Sequence, residues 1–477
     1  PGAPEMSYVN DLKADNFDAN TVYAVLDNHK YGDYKAYVYK STNKGQTWKS
    51  ISSNLPEKSH SWRIVQDHIK KNLLFLGTEF GIYFSVNAGE TWTQLSGNVP
   101  TIPFRDLAIH KRENDLVGAT FGRGFYVFDD MSVFRAISDN QMKSKATLFP
   151  VRKALWYIPR SFLGGSGKAS QGDAYYIAPN PPFGAVFTYH LSEGFMTKAE
   201  KRREKEKKNS KSVGFPGWDE VEAEHREMKP KIIFEVRDSD GDVVRRIDGP
   251  ASKGFHRVAW DLRYPNPYAL PLDREKVTGS GYLAMPGKYS VTMYSVVDGK
   301  TQKLSQSQQF DVTPLRKGAL PSKDYAETFN FLRGVEKTFK KVTAIQISVS
   351  NTLKKVKSMN VALAQSNADV GFMDEELSKL RNSLLEMDEE LNGKRSKGEP
   401  GEKNNPTVYT RLYTAARIAS GSTYGPTKLA LDNLALANKR ITVIEKQLTA
   451  NNQMIINLSY ELRQAGAPWV EGDEIPD

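Results

Sequence analysis

Segments in which apolar and polar residues alternate dominate residues 1–146. They include TVYAVLDN at 21–28, LLFLGTEFGIYFS at 73–85 and RDLAIH at 105–110. An alternation with a period of two is typical of β-strands, because successive side chains point to opposite faces of a sheet. We therefore predict that this part of the chain folds into short strands joined by turns.

An octapeptide of the form Ser-x-Asn-x-Gly-x-Thr-Trp occurs at residues 41–48 and again, 44 residues later, at 85–92. The segment GIYFS at 81–85 similarly recurs as GFYVF at 124–128, 43 residues on. A period of about 40–45 residues with four short strands per unit is typical of β-propeller blades. The third unit closes with DDMSVF instead of the octapeptide, which predicts that the chain leaves the propeller there.

The octapeptide is interpreted as a turn motif with a structural role and no catalytic one. Its asparagine can accept hydrogen bonds from nearby backbone amides, and its glycine can adopt a positive φ. Its tryptophan can start the last strand of the blade and fill the gap to the next one. The positions concerned are Ser41, Asn43, Gly45, Thr47, Trp48, Ser85, Asn87, Gly89, Thr91 and Trp92.

Three units are fewer than a propeller requires, since these rings close with about four to eight blades. Three blades alone would leave two open edges and an incomplete core. We therefore predict that further blades come from an N-terminal part of a longer polypeptide or from a second chain, and we favour the longer polypeptide.

Residues 147–320 also alternate, with hairpin turns expected at DSDG (238–241) and VDGK (297–300). Several short strands with such turns predict a β-sandwich of immunoglobulin type. A charged segment near 193–230 would be an insertion between its strands. From 321 to 477 the pattern changes to the helical period in four long stretches, which predicts an antiparallel helical bundle. The predicted fold is thus mainly β, followed by α.

Half of the net charge of +10 comes from Lys198–Lys211, which holds eight cations and three anions. Glutamates at helical spacing predict a solvated helix there, whereas a phosphate-binding tract would interleave aromatic residues. We therefore expect no nucleic-acid partner. The chain has no cysteine, which excludes disulfides and thiolate zinc sites. No apolar run reaches the roughly 18 residues of a membrane-spanning helix, and PGAPEMSYVN does not have the pattern of a signal peptide.

Enzyme chemistry has little support in the sequence. Arg63, Arg105 and Arg123 fall within the blade regions, with Glu79 among the nearby acids, and these four are the candidates for a ligand-binding face. They match no sialidase or two-carboxylate pattern, so no catalytic residue is assigned. An ion pair between Arg63 and Asp67, and a tight turn at Glu79, would explain the same residues structurally.

No metal or cofactor site is predicted either. The histidines show no pairing at metal-ligand spacing, and no nucleotide-binding fingerprint occurs. DSDGD at 238–242 lacks the glutamate that a calcium loop would need and is interpreted as a hairpin turn. The seven histidines are His29, His60, His68, His110, His190, His225 and His256.

Several segments together resemble a family of large secreted bacterial proteins known as sortilin-like or glycosyl-hydrolase-like repeat proteins. The octapeptide resembles the Asp-box, or BNR repeat, of sialidases and VPS10-like receptors, with Asn in the Asp position. The cysteine-rich module of true sortilins is absent, and the hydrolase designation is an analogy of fold. The similar segments are WRIVQDHIKKNLLFLGTEFGIYFS, ATFGRGFYVFDD, NPPFGAV, HRVAWDLRYP and AGAPW.

The resemblance implies additional N-terminal blades and secretion or export to the cell envelope. Together with the absence of a catalytic constellation, it predicts a non-catalytic binding or scaffolding protein whose propeller face binds a protein or glycan. The sandwich and bundle would then brace the propeller or dock it to a larger envelope assembly. The alternative is a secreted, sialidase-like glycoside hydrolase whose active site is built mainly by blades outside this sequence.

Overall fold

Strands and long helices occupy separate parts of the chain in the computed structural model. Strands occur between Tyr8 and Pro314, and long helices follow from Tyr325 onward, so the fold combines mixed sheets with a C-terminal helical region, as predicted. The structure describes residues 2–160, 178–208, 214–274, 279–316, 325–398 and 400–475.

Three antiparallel sheets form the N-terminal part, and in each of them strands adjacent in sequence are also adjacent in space. Sheet 1 contains β1 (Tyr8–Ala14), β2 (Val22–Asn28), β3 (Asp33–Ser41) and β4 (Lys49–Ser50). Sheet 2 contains β5 (Ser61–Gln66), β6 (Leu74–Thr78), β7 (Gly81–Ser85) and β8 (Thr93–Gln94). Sheet 3 contains β9 (Phe104–His110), β10 (Asp115–Thr120) and β11 (Phe125–Phe128).

The three sheets pack face to face, with sheet 2 in the middle. Leu74 and Leu76 on β6 share one apolar core with Val25 of sheet 1. Phe75, between those two leucines, points to the opposite face and shares a second core with Phe104 of sheet 3. Sheet 2 is therefore apolar and buried on both faces.

The octapeptides form two nearly identical turns. In the first, Asn43 Oδ1 accepts a hydrogen bond of 2.9 Å from the Thr47 amide, and Ser41 Oγ accepts one of 2.9 Å from the Gly45 amide. The second repeats both bonds at 3.0 and 2.8 Å, using the equivalent residues Asn87, Thr91, Ser85 and Gly89. Gly45 and Gly89 have φ values of 83° and 91°, respectively, a region that disfavours residues with a Cβ.

The two turns differ in what covers them. Trp92 is buried against sheet 1, where its Nε1–H donates a 2.7 Å hydrogen bond to the Ile51 carbonyl. The equivalent Trp48 is half-buried, and the described residues contain no sheet before sheet 1 against which it could pack. In the same way, a Cβ placed on Gly89 would lie 2.6 Å from Ile51 Cδ1, whereas one on Gly45 would meet only Trp48, at 3.6 Å.

The chain leaves sheet 3 through a 3₁₀ helix, Met131–Ala136, and a short helix α1 (Asp139–Lys143). Phe134 of the 3₁₀ helix packs against Phe75 and Phe84 of sheet 2, with ring centroids 5.6 and 4.6 Å away. The DDMSVF segment, residues 129–134, thus contributes Met131 and Phe134 to the core between sheets 2 and 3.

Two further sheets pack over a shared core that includes Phe187, Phe234 and the fully buried Trp260. The three-stranded sheet has the order β12 (Ala146–Leu148), β14 (Ala185–Leu191), β17 (Gly254–Trp260). The other sheet has the order β13 (Ala154–Trp156), β20 (Gln308–Pro314), β18 (Gly287–Val297), β15 (Lys231–Arg237), β16 (Val243–Gly249), with β19 (Lys300–Lys303) paired to β18.

Both expected hairpins form in the larger of these sheets. The DSDG turn joins β15 to β16, and Asp238 Oδ1 accepts hydrogen bonds from the amides of Asp240 and Asp242. The VDGK turn joins β18 to β19. The charged segment forms α2 (Lys198–Lys208), which has no buried residue, and α3 (Trp218–Arg226). Arg202 and Glu224 join these helices by an ion pair of 2.8 Å.

The C-terminal helices share one large apolar core, which includes Val335, Leu380, Leu412 and Ile444. The first of them also contacts the preceding β region, where the Ala269 amide donates to Thr343 Oγ1 at 2.9 Å. The helices are α4 (Tyr325–Leu363), α5 (Phe372–Asn392), the short α6 (Arg395–Gly398), α7 (Val408–Ser420) and α8 (Lys428–Gln464).

Gly89→Ala should destabilise the protein more than Gly45→Ala does. Both changes put a Cβ at positive φ in the same turn, but only the first forces Ile51 to move. We expect an excess loss of about 1–3 kcal/mol in the free energy of unfolding, the range typical of overpacking. Urea denaturation of both variants measures it. Equal losses would mean that sheets 1 and 2 do not pack as described.

Candidate functional site

Connections from all three sheets meet at one end of the stack. We call this the His60 end and define it by residues 29–32, 59–62, 79–80 and 121–124. Within each antiparallel sheet, alternate connections lie at the same end. The β2–β3, β6–β7 and β10–β11 connections therefore lie at corresponding ends of their sheets. Contacts of His29 with His60, and of Arg105 with Trp62 and Phe121, bring them side by side.

A polar cluster lies beneath this end, between sheets 1 and 2. The imidazole rings of His29 and His60 stack with centroids 4.8 Å apart. His29 Nδ1 lies 2.5 Å from Asp27 Oδ2, and His60 Nε2 lies 3.3 Å from Glu79 Oε2. Trp62 Nε1–H donates a 3.0 Å hydrogen bond to the same glutamate oxygen. Two imidazoles and two carboxylates thus meet within one small volume.

The environment of His60 favours its neutral form. Burial lowers the pKa of His60, although the nearby carboxylates of Asp27 and Glu79 act in the opposite direction. The net shift is downward from an ordinary value of about 6.5. At neutral pH this imidazole is therefore uncharged and keeps a free lone pair.

The surface above the cluster is aromatic and basic. Arg105 lies over the Trp62 ring, with its Cζ 3.5 Å from the ring centroid, and 5.2 Å from the centroid of the exposed Phe121. Phe80, Tyr31 and Tyr34 are also about half exposed at this end. Aromatic faces beside a guanidinium are well suited to contact sugar rings or protein side chains.

Of the predicted candidates, Arg105 and Glu79 lie together at the His60 end, on either side of Trp62. Arg123 is exposed in the β10–β11 connection at the same end. Arg63 lies deeper, where it joins the first strands of the three sheets. Its Nη1 is 3.0 Å from Asp11 Oδ1 of β1, and its Nε is 2.7 Å from Asp106 Oδ1 of β9.

The alternative pairing of Arg63 with Asp67 is wrong, because Asp67 lies at the opposite end of sheet 2. Its two carboxylate oxygens accept hydrogen bonds of 2.9 and 2.8 Å from Nε and Nη2 of Arg135. Asp67 also accepts hydrogen bonds from the amides of Ile69 and Lys70. Burial alone would raise the pKa of Asp67, but these partners together lower it below its usual value.

Sequence spacing failed to reveal the histidine cluster. His29 and His60 are 31 residues apart and belong to different sheets, so they meet only through packing. The remaining described histidines are separate from this site. For example, His68 lies beside Asp67, and His256 contacts the Ser252 carbonyl at 2.7 Å.

Two cavities lie away from the His60 end, at junctions between parts of the chain. One, of about 490 Å³, lies beyond sheet 3 and is lined by Asp129, Arg152 and Arg257 among others. Burial and the neighbouring Asp115 raise the pKa of Asp129 there. The other, of about 390 Å³, lies between the second β region and the helices, beside Tyr282 and Arg417. Within the described part of the chain, no helix is long and apolar enough to cross a membrane.

Asp67→Asn should destabilise the protein at neutral pH by about 3 kcal/mol, because it leaves the largely buried Arg135 guanidinium without its carboxylate partner. Because the pKa of Asp67 is lower in the folded protein than in the unfolded chain, its ionisation stabilises the fold at a pH above the unfolded pKa of about 4. This stability is lost as the pH falls through the folded pKa. The difference between wild type and variant should therefore shrink below about pH 4. Urea denaturation across this pH range measures it. Asp240→Asn, in an exposed turn, serves as control, and a pH-independent difference would contradict the account.

Comparisons with known proteins identify no family. No family model and no curated protein matches the chain. Among solved structures, the extracellular domain of BT4673 from B. thetaiotaomicron is 12% identical, with 64% of this chain and 31% of that chain covered and a TM-score of 0.20. A GH74 xyloglucanase from Xanthomonas campestris is 13% identical, with 62% of this chain and 38% of that chain covered and a TM-score of 0.22. The structure of YCF48 bound to D1 peptide is 12% identical, with 64% of this chain and 67% of that chain covered and a TM-score of 0.20.

The chain thus spans about a third of the length of the first of these structures. TM-scores of this size do not establish a shared fold.

Proposed function

We propose that this chain is a non-catalytic binding or scaffolding protein of the bacterial envelope or exterior. In this proposal sheets 1–3 are blades of a β-propeller, and the His60 end binds a protein or glycan partner. The observation that carries the proposal is the meeting of connections from all three sheets at the His60 end. There, exposed aromatic rings surround Arg105 and Glu79.

The outer face of sheet 1 supports the presence of further blades. Val9 pairs with Leu26, and Leu12 pairs with Ala24, so these four side chains share the face turned away from sheet 2. Val9 and Leu12 are more than half exposed. The outer face of sheet 1 is thus apolar, as both faces of sheet 2 are, but no sheet in the described part of the chain covers it.

The outer face of sheet 3 has the same character. Val117 pairs with Val127, and Ala119 pairs with Phe125, on the face turned away from sheet 2. Val127 and Phe125 are more than half exposed. Additional antiparallel sheets of the same kind, in a longer polypeptide or a second chain, would cover both outer faces and close the ring.

The rest of the chain would brace the propeller at the end opposite to the His60 end. Arg152 donates a 2.8 Å hydrogen bond to the Glu113 carbonyl in the β9–β10 connection, and Arg257 donates one of 3.2 Å to the Asp130 carbonyl. These contacts leave the His60 end free for a partner. We propose an immunoglobulin-like sandwich for residues 147–320 and a bundle for 321–477, with the last propeller blades in 1–146.

The placement of Glu79 bears on the alternative, a secreted glycoside hydrolase. Its carboxylate lies beside Trp62 at the His60 end. Asp27, the other carboxylate of the cluster, is almost completely buried and bound to His29, so further blades would have to supply the accessible second carboxyl group that glycosidases need about 5–10 Å away. The two acids of the first strands, Asp11 and Asp106, are both ion-paired to Arg63 and are thus already engaged within the protein. Binding without hydrolysis is therefore favoured.

Arg105→Ala should weaken ligand binding at least tenfold, since it removes the exposed cation between Trp62 and Phe121. The probe is an immobilised panel of bacterial and plant glycans together with a displayed peptide library, screened with the wild-type protein. Arg226→Ala, an exposed arginine on α3, is the control and should bind like wild type. Equal binding by all three proteins would contradict the proposal. Hydrolysis of a bound glycan that Glu79→Gln abolishes would instead establish the alternative.

The isolated chain should self-associate through the outer faces of sheets 1 and 3. Replacing Leu12 and Val127 together with lysine should reduce this association, measured by analytical ultracentrifugation at several concentrations, while the thermal midpoint stays within a few degrees of wild type. The control is Ile69→Lys, an exposed apolar residue outside both faces. A wild-type chain that stays monomeric at all concentrations would show that these faces need no cover.

A further inference from the structure

Asp27, His29 and His60 form a group that partner binding at the His60 end does not require. Each offers one ligand atom, and these atoms lie within 4.8 Å of one another. Asp27 and His60 are almost completely buried, at 2% and 5% exposure. Buried imidazole and carboxylate groups in such proximity are uncommon unless they share a proton or an ion.

Hydrogen bonds within the protein do not satisfy this group. Within the described part of the chain, neither ring nitrogen of His60 has a hydrogen-bond partner, although both are buried. Asn28 Oδ1, Ser59 Oγ and Ser61 Oγ, next to Asp27 and His60 in sequence, are also buried without partners. An unpartnered buried nitrogen costs free energy, so the two ring nitrogens of His60 indicate that something else binds there.

We propose that Asp27, His29 and His60 bind a divalent transition-metal ion of the Zn²⁺ type, with Glu79 as a fourth ligand. Two imidazoles with carboxylate oxygens are a ligand set that suits Zn²⁺ and its neighbours in the first transition series. His60 Nε2 and Glu79 Oε2 are 3.3 Å apart. That separation equals the edge of a tetrahedron with metal–ligand bonds of about 2.0–2.1 Å.

The surroundings orient the proposed ligands. Trp62 Nε1–H donates a 3.0 Å hydrogen bond to Glu79 Oε2, and the His29 amide donates one of 3.0 Å to Asp27 Oδ1. Such contacts fix the direction of metal ligands and raise affinity. The contact of 2.5 Å between His29 Nδ1 and Asp27 Oδ2 would open by less than 1 Å as the ion takes the place of the shared proton.

The site would join two sheets. Asp27 and His29 belong to the end of β2 and the connection after it, whereas His60 and Glu79 flank β5 and β6. The His29 side chain is 31% exposed and provides the route by which an ion enters. A metal there would link sheet 1 to sheet 2 at the His60 end, and binding would stabilise the folded chain.

The test uses the full chain, freed of metal with a chelator and titrated with ZnCl₂ in a calorimeter. We expect one equivalent of Zn²⁺ to bind and the thermal midpoint to rise by several degrees. His60→Ala should reduce the affinity at least a hundredfold. Because His60 is buried, His60→Ala could also impair folding, so a second variant is needed. His29 is only half-buried, and His29→Gln should fold normally and still lose at least tenfold in affinity for Zn²⁺. Bound Co²⁺, followed by its visible absorption, provides a second readout of the ligand geometry.

His110→Ala is the matched control, since His110 is exposed on β9 and outside the cluster. It should bind one Zn²⁺ as the wild type does. The proposal is overturned if the wild type binds no Zn²⁺, if it binds Ca²⁺ in preference to Zn²⁺, or if His60→Ala and His29→Gln both bind Zn²⁺ with wild-type affinity. Loss of binding in the partner assay of Arg105→Ala has no bearing on it, so the two proposals fail separately.

Discussion

A sheet that is apolar on both faces must be covered on both faces, and the N-terminal part of this chain, residues 1–146, depends on that constraint. Sheet 2 satisfies it, because Leu74 and Leu76 pack toward sheet 1 while Phe75 packs toward sheet 3. Sheets 1 and 3 are also apolar on both faces, but in the described part of the chain another sheet covers only one face of each. The burial of apolar surface therefore explains both the stack that is present and the proposal that more sheets join it.

The same stacking creates the candidate site. Antiparallel sheets joined in sequence order place every second connection at one end, and close packing brings those connections together across sheets. Arg63, ion-paired to Asp11 and Asp106, ties the first strands to one another below that end. At the opposite end Asp67 and Arg135 bind the chain that leaves sheet 3. Charged pairs thus fix both ends of a stack whose interior is apolar.

Secondary structure and turns could be predicted from the sequence, whereas contacts between residues distant in the sequence could not. The alternation located the strands, the helical period located the four long helices, and the DSDG and VDGK turns form as expected. The partner of Asp67 and the meeting of His29 with His60 depend on how separate sheets pack. Residues 31 or 68 positions apart carry no periodic signal of such contacts.

The most direct test of the central claim is the mass of the native assembly isolated from its natural source, measured under native and then denaturing conditions. The account predicts that this sequence occurs together with further sheet-forming polypeptide, in one longer chain or in a second one, enough for at least one additional blade. A lone monomer of 53.6 kDa would contradict it, because the outer faces of sheets 1 and 3 would then be exposed to water in the functional protein.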